Sequence, residues 1–205
     1  MRVNRLELTH YRNLSPTVLE PGPGVNVIWG EDAQGKTNLL EAVWLFTGGK
    51  SFRGARDSEL TAFGEDESTL TMDFTAQDRE QRARLTIRNR RSAVLNGVSL
   101  TGASQLAGRF CGIVFSPAHL TLVKGGPEER RRFLDAAYCQ LRPGYMKSLS
   151  EYSRALAQRN TLLKDLRSGR GLPGWEELLE VWDQRLAQSG CRLMQARLRY
   201  IDRLG

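Results

Sequence analysis

Gly30-Glu31-Asp32-Ala33-Gln34-Gly35-Lys36-Thr37 has the form G-x-x-x-x-G-K-[ST], the pattern of a loop that cradles phosphate groups. Each position has a chemical reason. Gly30 and Gly35 let the backbone turn tightly and come close to a ligand. The successive N–H groups then face inward, Lys36 reaches the terminal phosphates of a polyphosphate, and the Thr37 hydroxyl is a ligand for Mg²⁺. The flanks agree with this reading. Val25-Asn26-Val27-Ile28-Trp29 is a short apolar run that predicts a buried strand. Beyond the loop, Leu39, Leu40, Val43, Trp44 and Phe46 recur at helical spacing. Strand, glycine loop and helix follow in that order, with the positive end of the helix dipole aimed at the phosphates. The fold class this predicts is α/β, of the P-loop NTPase type.

The chain of 205 residues is long enough for a full core, and its 40% hydrophobic and 26% charged residues are ordinary for a globular protein. No run approaches the ~20 apolar residues of a membrane span, and the opening Met1-Arg2-Val3-Asn4-Arg5 has no apolar signal core, so the expected location is cytoplasmic. Cys111, Cys139 and Cys191 are widely spaced and form no C-x-x-C pair, which argues against a disulfide framework or a zinc site. A net charge of +7 favours a polyanionic partner such as nucleic acid.

Leu6 and Leu8 alternate with polar residues, as in a half-buried first strand. Tyr11-Arg12-Asn13 follows, and these residues either contact a base or form a polar bend. Leu70, Met72 and Phe74, then Ala83, Leu85 and Ile87, alternate with polar residues, and Asn96-Gly97 marks a hairpin turn. An antiparallel meander is expected here, one face apolar and one solvated. Its polar side carries Arg82, Arg84 and Arg88, with Arg90 and Arg91 at a turn. They form either a phosphate-contacting patch or a solvated face whose charges prevent edge association. Phe110-Cys111-Gly112-Ile113-Val114-Phe115 predicts a central strand. Pro127, Glu128 and Glu129 open a helix in which Asp135 follows Phe133-Leu134.

From Gly144 the pattern changes. Leu149, Tyr152, Leu156, Leu163 and Leu166 fit a heptad seam with Arg159 as its polar position. After the loop Ser168–Gly174, the residues Leu179, Trp182, Leu186, Ser189, Leu193, Ala196 and Tyr200 repeat the seam. The two helices predict an αα arm. The expected division is an α/β lobe over residues 1–126 and a helical arm over 127–205.

These residues resemble the RecF family of bacterial recombination mediators, in the ABC-type ATPase class that includes SMC heads. The matching stretches are Tyr11-Arg12-Asn13-Leu14, the glycine loop continuing through Asn38-Leu39-Leu40-Glu41-Ala42, Gly49-Lys50-Ser51-Phe52-Arg53, Val114-Phe115-Ser116-Pro117, the run from Gly126 to Asp135 containing Arg130-Arg131-Arg132-Phe133-Leu134, and Gln158-Arg159-Asn160-Thr161-Leu162-Leu163-Lys164. The resemblance implies an ABC-ATPase-head-like mixed sheet with a meander and a helical arm. It implies ATP and Mg²⁺ as cofactors, and ATP-dependent DNA binding at gaps or single-stranded/double-stranded junctions in repair, replication restart and the SOS response. ATP would act as a homodimerisation switch. RecR would be a partner, with RecO and RecA in the same pathway. Arg12, Asn13, Gly30, Glu31, Asp32, Ala33, Gln34, Gly35, Lys36, Thr37 and Asn38 would hold nucleotide, with Thr37 on the metal. Lys50, Arg53, Arg84, Arg88, Arg90 and Arg91 are the candidate DNA contacts.

Departures accompany the resemblance. Asp32 stands where the family usually has asparagine, and Ala118-His119 where it commonly has an acidic pair. Between residues 38 and 205 no apolar run of four ends in Asp-Asp or Asp-Glu, the acidic strand end that phosphoryl transfer uses to hold Mg²⁺. The Ser-Gly-Gln signature of relatives is also missing. The chain therefore corresponds to the N-terminal portion of such a protein, with the catalytic residues outside it and a helical pattern still running at Gly205. Two other readings stay open: a DNA-binding module with unhydrolysed nucleotide, and a small-molecule kinase, which also uses a P-loop but which the long arm disfavours.

Overall fold

Strand β1 (Arg2–Thr9) places Leu6 and Leu8 in the core and Arg5 and Glu7 outside, the period of two that its sequence dictates. The computed structural model describes residues 1–171 and 173–204, except for the side chains of Ala118 and Thr121. Leu172 of the loop between the two long helices, the Ala118 side chain and the chain end at Gly205 lie outside the described residues. The chain divides into two compact units, Met1–Leu120 and Thr121–Gly205, and each is described by itself.

In the first unit β1 pairs with β2 (Thr17–Leu19) on one side and with β3 (Ser68–Ala76) on the other. The meander continues through β4 (Arg79–Ile87), β5 (Arg91–Leu95) and β6 (Val98–Leu100). The sheet order is β2-β1-β3-β4-β5-β6 and every pairing is antiparallel. Two of the meander's three connections are tight two-residue turns. Asn96-Gly97, read from the sequence, has φ of 51° and 81°. Gln77-Asp78, which carries no glycine signal, has φ of 51° and 58°. Positive φ at both central residues matches the twist of hairpin strands. Asn96 secures its turn by accepting the Arg82 N–H at 2.9 Å.

One face of the sheet is covered by α1 (Lys36–Leu45). Leu70, Met72, Phe74, Leu85 and Ile87 from the strands meet Ala42, Leu45 and Phe46 in the core, with Tyr11, Leu60 and Leu106 sealing its edges.

Two strand expectations are corrected. Residues 25–29 and 111–115 join no ladder, so the described sheet has no parallel member. Val25, Val27 and Trp29 are 92%, 78% and 86% exposed, and Ile113 and Phe115 are 98% and 90% exposed. Apolar runs of this kind suit a strand covered on both faces, but no neighbouring strand among the described residues pairs with them. Phe115 instead stacks on the His119 ring. His119 Nδ1 faces the Ser116 N–H at 3.0 Å.

The second unit holds α2 (Thr121–Lys124), α3 (Pro127–Leu141), α4 (Gly144–Arg167) and α5 (Trp175–Ile201). Pro127 sits at the first turn of α3 with Glu128 and Glu129 behind it, as its sequence predicts. The αα hairpin uses the expected seam in part. Ser189 and Leu193 are buried, Leu149, Tyr152 and Ala196 pack against the cluster that contains Leu193, and Arg159 pairs with Asp183 across the two helices. Ala155, outside the expected seam, is the buried position of α4 there in place of Leu156. Gly190 lets the Tyr152 ring approach, since a Cβ there would stand 3.3 Å from the ring. Asp135 is a structural node of this unit. It accepts hydrogen bonds from Tyr145 Oη at 2.5 Å and from Arg197 Nε and Nη2 at 2.9 Å each. No helix among the described residues is long and apolar enough to cross a membrane.

Candidate phosphate-binding site

The loop from Gly30 to Gly35 is built by left-handed backbone. Gly30, Ala33 and Gly35 have φ of 146°, 64° and 94°. Gly35 has two reasons to be glycine. Its φ suits no Cβ, and a Cβ there would stand 2.4 Å from Leu14 Cδ2 and 3.1 Å from Asn13 Oδ1. Gly35 is also the N-cap of α1, with no side chain capping the helix and no acidic residue in its first turn. The first N–H groups of α1 and the positive end of its dipole therefore meet no competing side-chain anion, which suits a phosphate.

Lys36 lies across the loop. Its Nζ donates to the Gly30 carbonyl at 2.8 Å and to the Glu31 carbonyl at 2.5 Å. Asp32, the unusual acid, points into solvent and stands 3.8 Å from Lys36 Nζ. A fully exposed carboxylate at that distance is a weak partner, so Asp32 leaves the ammonium available. Glu31 and Gln34 are exposed on the same loop, and Thr37 is exposed on the first turn of α1. Mg²⁺ needs few protein oxygens because it keeps waters and phosphate oxygens. The Thr37 hydroxyl at the helix start fits that role, and no group of three or more His, Cys, Asp or Glu suited to a metal ion occurs among the described residues.

A hydrogen-bond relay braces the loop. Asn13 Nδ2 donates to the Ala33 carbonyl at 2.7 Å, Asn38 Nδ2 donates to Asn13 Oδ1 at 2.7 Å, and Arg53 Nη1 donates to Asn38 Oδ1 at 2.6 Å. Asn13, Asn38 and the loop, proposed from different stretches of sequence, thus come together. Arg53, read as a DNA contact, is tied into the same group.

Tyr11 and Arg12 both bond to the buried carboxylate of Glu41. Tyr11 is fully buried and its Oη donates to Glu41 Oε2 at 3.1 Å. Burial, and then the Glu41 charge, push the Tyr11 phenol well above its ordinary range. Arg12 donates Nε to Glu41 Oε2 at 3.0 Å, Nη2 to Glu41 Oε1 at 3.1 Å and Nη1 to the Glu59 carbonyl at 2.9 Å. Sequence reasoning missed Glu41 and Ser51. The signal was an acid in the midst of the apolar positions Leu40, Ala42 and Val43.

The candidate DNA residues are dispersed. Arg84 projects from the exposed face of β4, Arg90 is exposed on a turn, and Lys50 is exposed after α1. Arg88 pairs with Glu67 at 2.6 Å. Arg91 is turned inward. Its Nη1 donates to the Gly49 carbonyl at 2.6 Å, and its Nε lies 2.9 Å from Asp57 Oδ1 without the alignment of a hydrogen bond.

With this geometry, comparison with known proteins defines the class. The family model described as "AAA domain" matches residues 5–168, and the chain belongs to that family of P-loop ATPases. Relatives it matches include RecF proteins. The DNA replication and repair protein RecF of Acetivibrio thermocellus is 34% identical over the whole chain and 55% of its own length. That of Agathobacter rectalis is 35% identical over the whole chain and 56% of its own length. The structure of the recombination mediator protein RecF with ATP superposes with a TM-score of 0.89 at 33% identity, covering 99% of this chain and 54% of that one. The chain therefore spans about half the length of the relatives it matches. An Smc head domain from Pyrococcus furiosus, 21% identical with a TM-score of 0.52 over 98% of this chain and 62% of its own, shares the fold. The resemblance to RecF and the P-loop head class are borne out.

Proposed function

We propose that this chain is the nucleotide-binding portion of a RecF-type DNA-repair ATPase. One observation carries the reading: an uncapped helix N-terminus behind a left-handed glycine loop, with Lys36 across it and a side-chain relay bracing it. The α1 N–H groups and Lys36 would hold the phosphates of ATP, and Thr37 the Mg²⁺. The metal, when bound, supplies charge neutralisation between the phosphates. Asn13 and Asn38 keep the loop in shape, and Arg12 anchors the bend that presents Asn13. DNA at gaps or junctions, the ATP-dependent homodimer and the RecR, RecO and RecA partnerships belong to the longer protein in this reading. In this reading the acid that positions Mg²⁺ for hydrolysis would be supplied by the longer protein.

Calorimetric titration with MgATP tests the site. Lys36→Ala is expected to weaken binding about tenfold or more, since it removes a charge-assisted contact of ~1.5–3 kcal/mol. Equal affinity in both proteins would remove the loop as the site.

For DNA, the exposed Arg84 and Arg88 carry the reading. Arg84→Ala with Arg88→Ala is expected to flatten the log–log salt dependence of binding by about two units, at ~0.9 per phosphate contact. An unchanged slope would remove this face.

A further inference from the structure

We propose that Glu41 is the positioning residue that sets the phosphate loop in its binding geometry, acting through Arg12 and Asn13; the proposal rests on the nucleotide reading of that loop. Glu41 is fully buried on α1, one turn beyond Thr37. Four donors converge on its two oxygens: Tyr11 Oη and Arg12 Nε on Oε2, and Arg12 Nη2 and Ser51 Oγ on Oε1. An ionised carboxylate has about four lone-pair sites, so this one is filled.

The donors come from two separate stretches of chain. Ser51 belongs to the turn after α1, where its Oγ also accepts the N–H groups of Arg53 and Ala55 at 3.1 and 3.3 Å. Tyr11 and Arg12 belong to the bend after β1. That bend is strained, because His10 and Arg12 both have left-handed backbone, with φ of 53° and 55°. Strain of this kind persists only where the surroundings over-determine it. Here the restraints are the Glu41 fork on Arg12 and the backbone bonds from Arg12 N to the Leu60 carbonyl and from Ala62 N to the His10 carbonyl, at 2.9 and 2.8 Å.

The next residue is Asn13, whose amide holds the carbonyl of left-handed Ala33 inside the loop. The path therefore runs from Glu41 to Arg12, through the peptide to Asn13, and into the loop. Arg53 enters the same path by Ser51 on one side and Asn38 on the other.

The test uses the intact chain and hydrogen exchange of the amides from Glu31 to Thr37, with the amides of β3 and β4 as internal reference. Glu41→Gln keeps the shape but turns an NH₂ toward hydrogen-bond donors. It is expected to speed exchange in the loop about tenfold, the scale at which outer-shell partners act on the groups they orient, while β3 and β4 stay protected. Asn13→Ala is expected to do the same. The double variant should be no faster than either single, because both changes break one path. MgATP affinity should fall by the same factor.

Loop exchange that is unchanged in Glu41→Gln, or effects that add in the double variant, would overturn the proposal. If Glu41→Gln also loosens β3 and β4, Arg12→Lys decides in its place, since it keeps the charge and loses the fork. A wild-type chain that binds no MgATP, but whose loop exchange responds as expected, would sink the nucleotide reading and leave Glu41 as the loop's positioning residue.

Discussion

The meander and the two apolar runs at 25–29 and 111–115 make an instructive pair. Both were read as strands from their sequences, and only the meander forms a ladder. Each strand from β3 to β5 is followed within a few residues by its partner, and the β3–β4 and β5–β6 turns have left-handed backbone at both central residues. Pairing of this kind closes locally and costs little loop entropy. Among the described residues, no strand follows the runs at 25–29 and 111–115 through such a turn. Their composition suits burial on both faces, which only strands on either side and layers above and below can supply. An apolar run thus states that a segment wants covering, and the turn next to it states whether the cover is close by.

The comparison can be broken from the meander side first. Leu85 is fully buried between the sheet and α1, and Leu85→Ala is expected to cost about 2–5 kcal/mol in chemical unfolding. A loss below 1 kcal/mol would mean that the sheet core is loose.

The buried edge of the same core gives a pH signature. The folded chain holds the Tyr11 proton more tightly than the unfolded chain does, since burial and Glu41 raise its pKa above the ordinary 10.0. This contribution is fully present below pH 10 and is lost as pH rises beyond it, with a slope of up to ~1.4 kcal/mol per pH unit. Tyr11→Phe is expected to flatten that slope in unfolding midpoints measured from pH 8 to 11. The run 25–29 has no titratable side chain and gives no such signature. An unaltered slope would place the Tyr11 hydroxyl in solvent.

The smallest effect is expected at the exposed side chains of the two apolar runs. Val27→Ser and Ile113→Ser should change stability by no more than about 0.5 kcal/mol, the range of exposed positions. They should reduce self-association in sedimentation velocity, because exposed apolar runs seek cover. A cost above 1 kcal/mol would show that these side chains are packed and would erase the contrast.

Legibility followed the same physics. The glycine loop, α1, the meander, the start of α3 and part of the heptad seam could be read because each obeys a local period or a turn chemistry. The Gln77-Asp78 turn was missed because its left-handed residues are not glycine or asparagine. Of the site, Lys36, Thr37, Gly35, Asn13 and Asn38 were legible from motif and resemblance. Arg12 was found but its partner was not. Spacing cannot reveal that Glu41, Tyr11 and Ser51 share one buried point, because that depends on how β1, α1 and the turn after α1 pack together. Arg91 illustrates the same limit. Next to Arg90 in sequence, it is turned inward on Gly49 and Asp57, while Arg90 faces water.

Trp29 has a practical consequence. Of the four tryptophans it alone is exposed, and it directly precedes Gly30. Trp44 is partly covered, with its Nε1 donating to the Lys50 carbonyl, and Trp175 and Trp182 belong to the helical unit. The chain therefore carries its own optical probe at the mouth of the loop. Trp29 is the most solvent-exposed of the four and the other three are half-covered, so the red-shifted and most readily iodide-quenched part of the emission is weighted toward residue 29, and loop occupancy is expected to change it without an attached label.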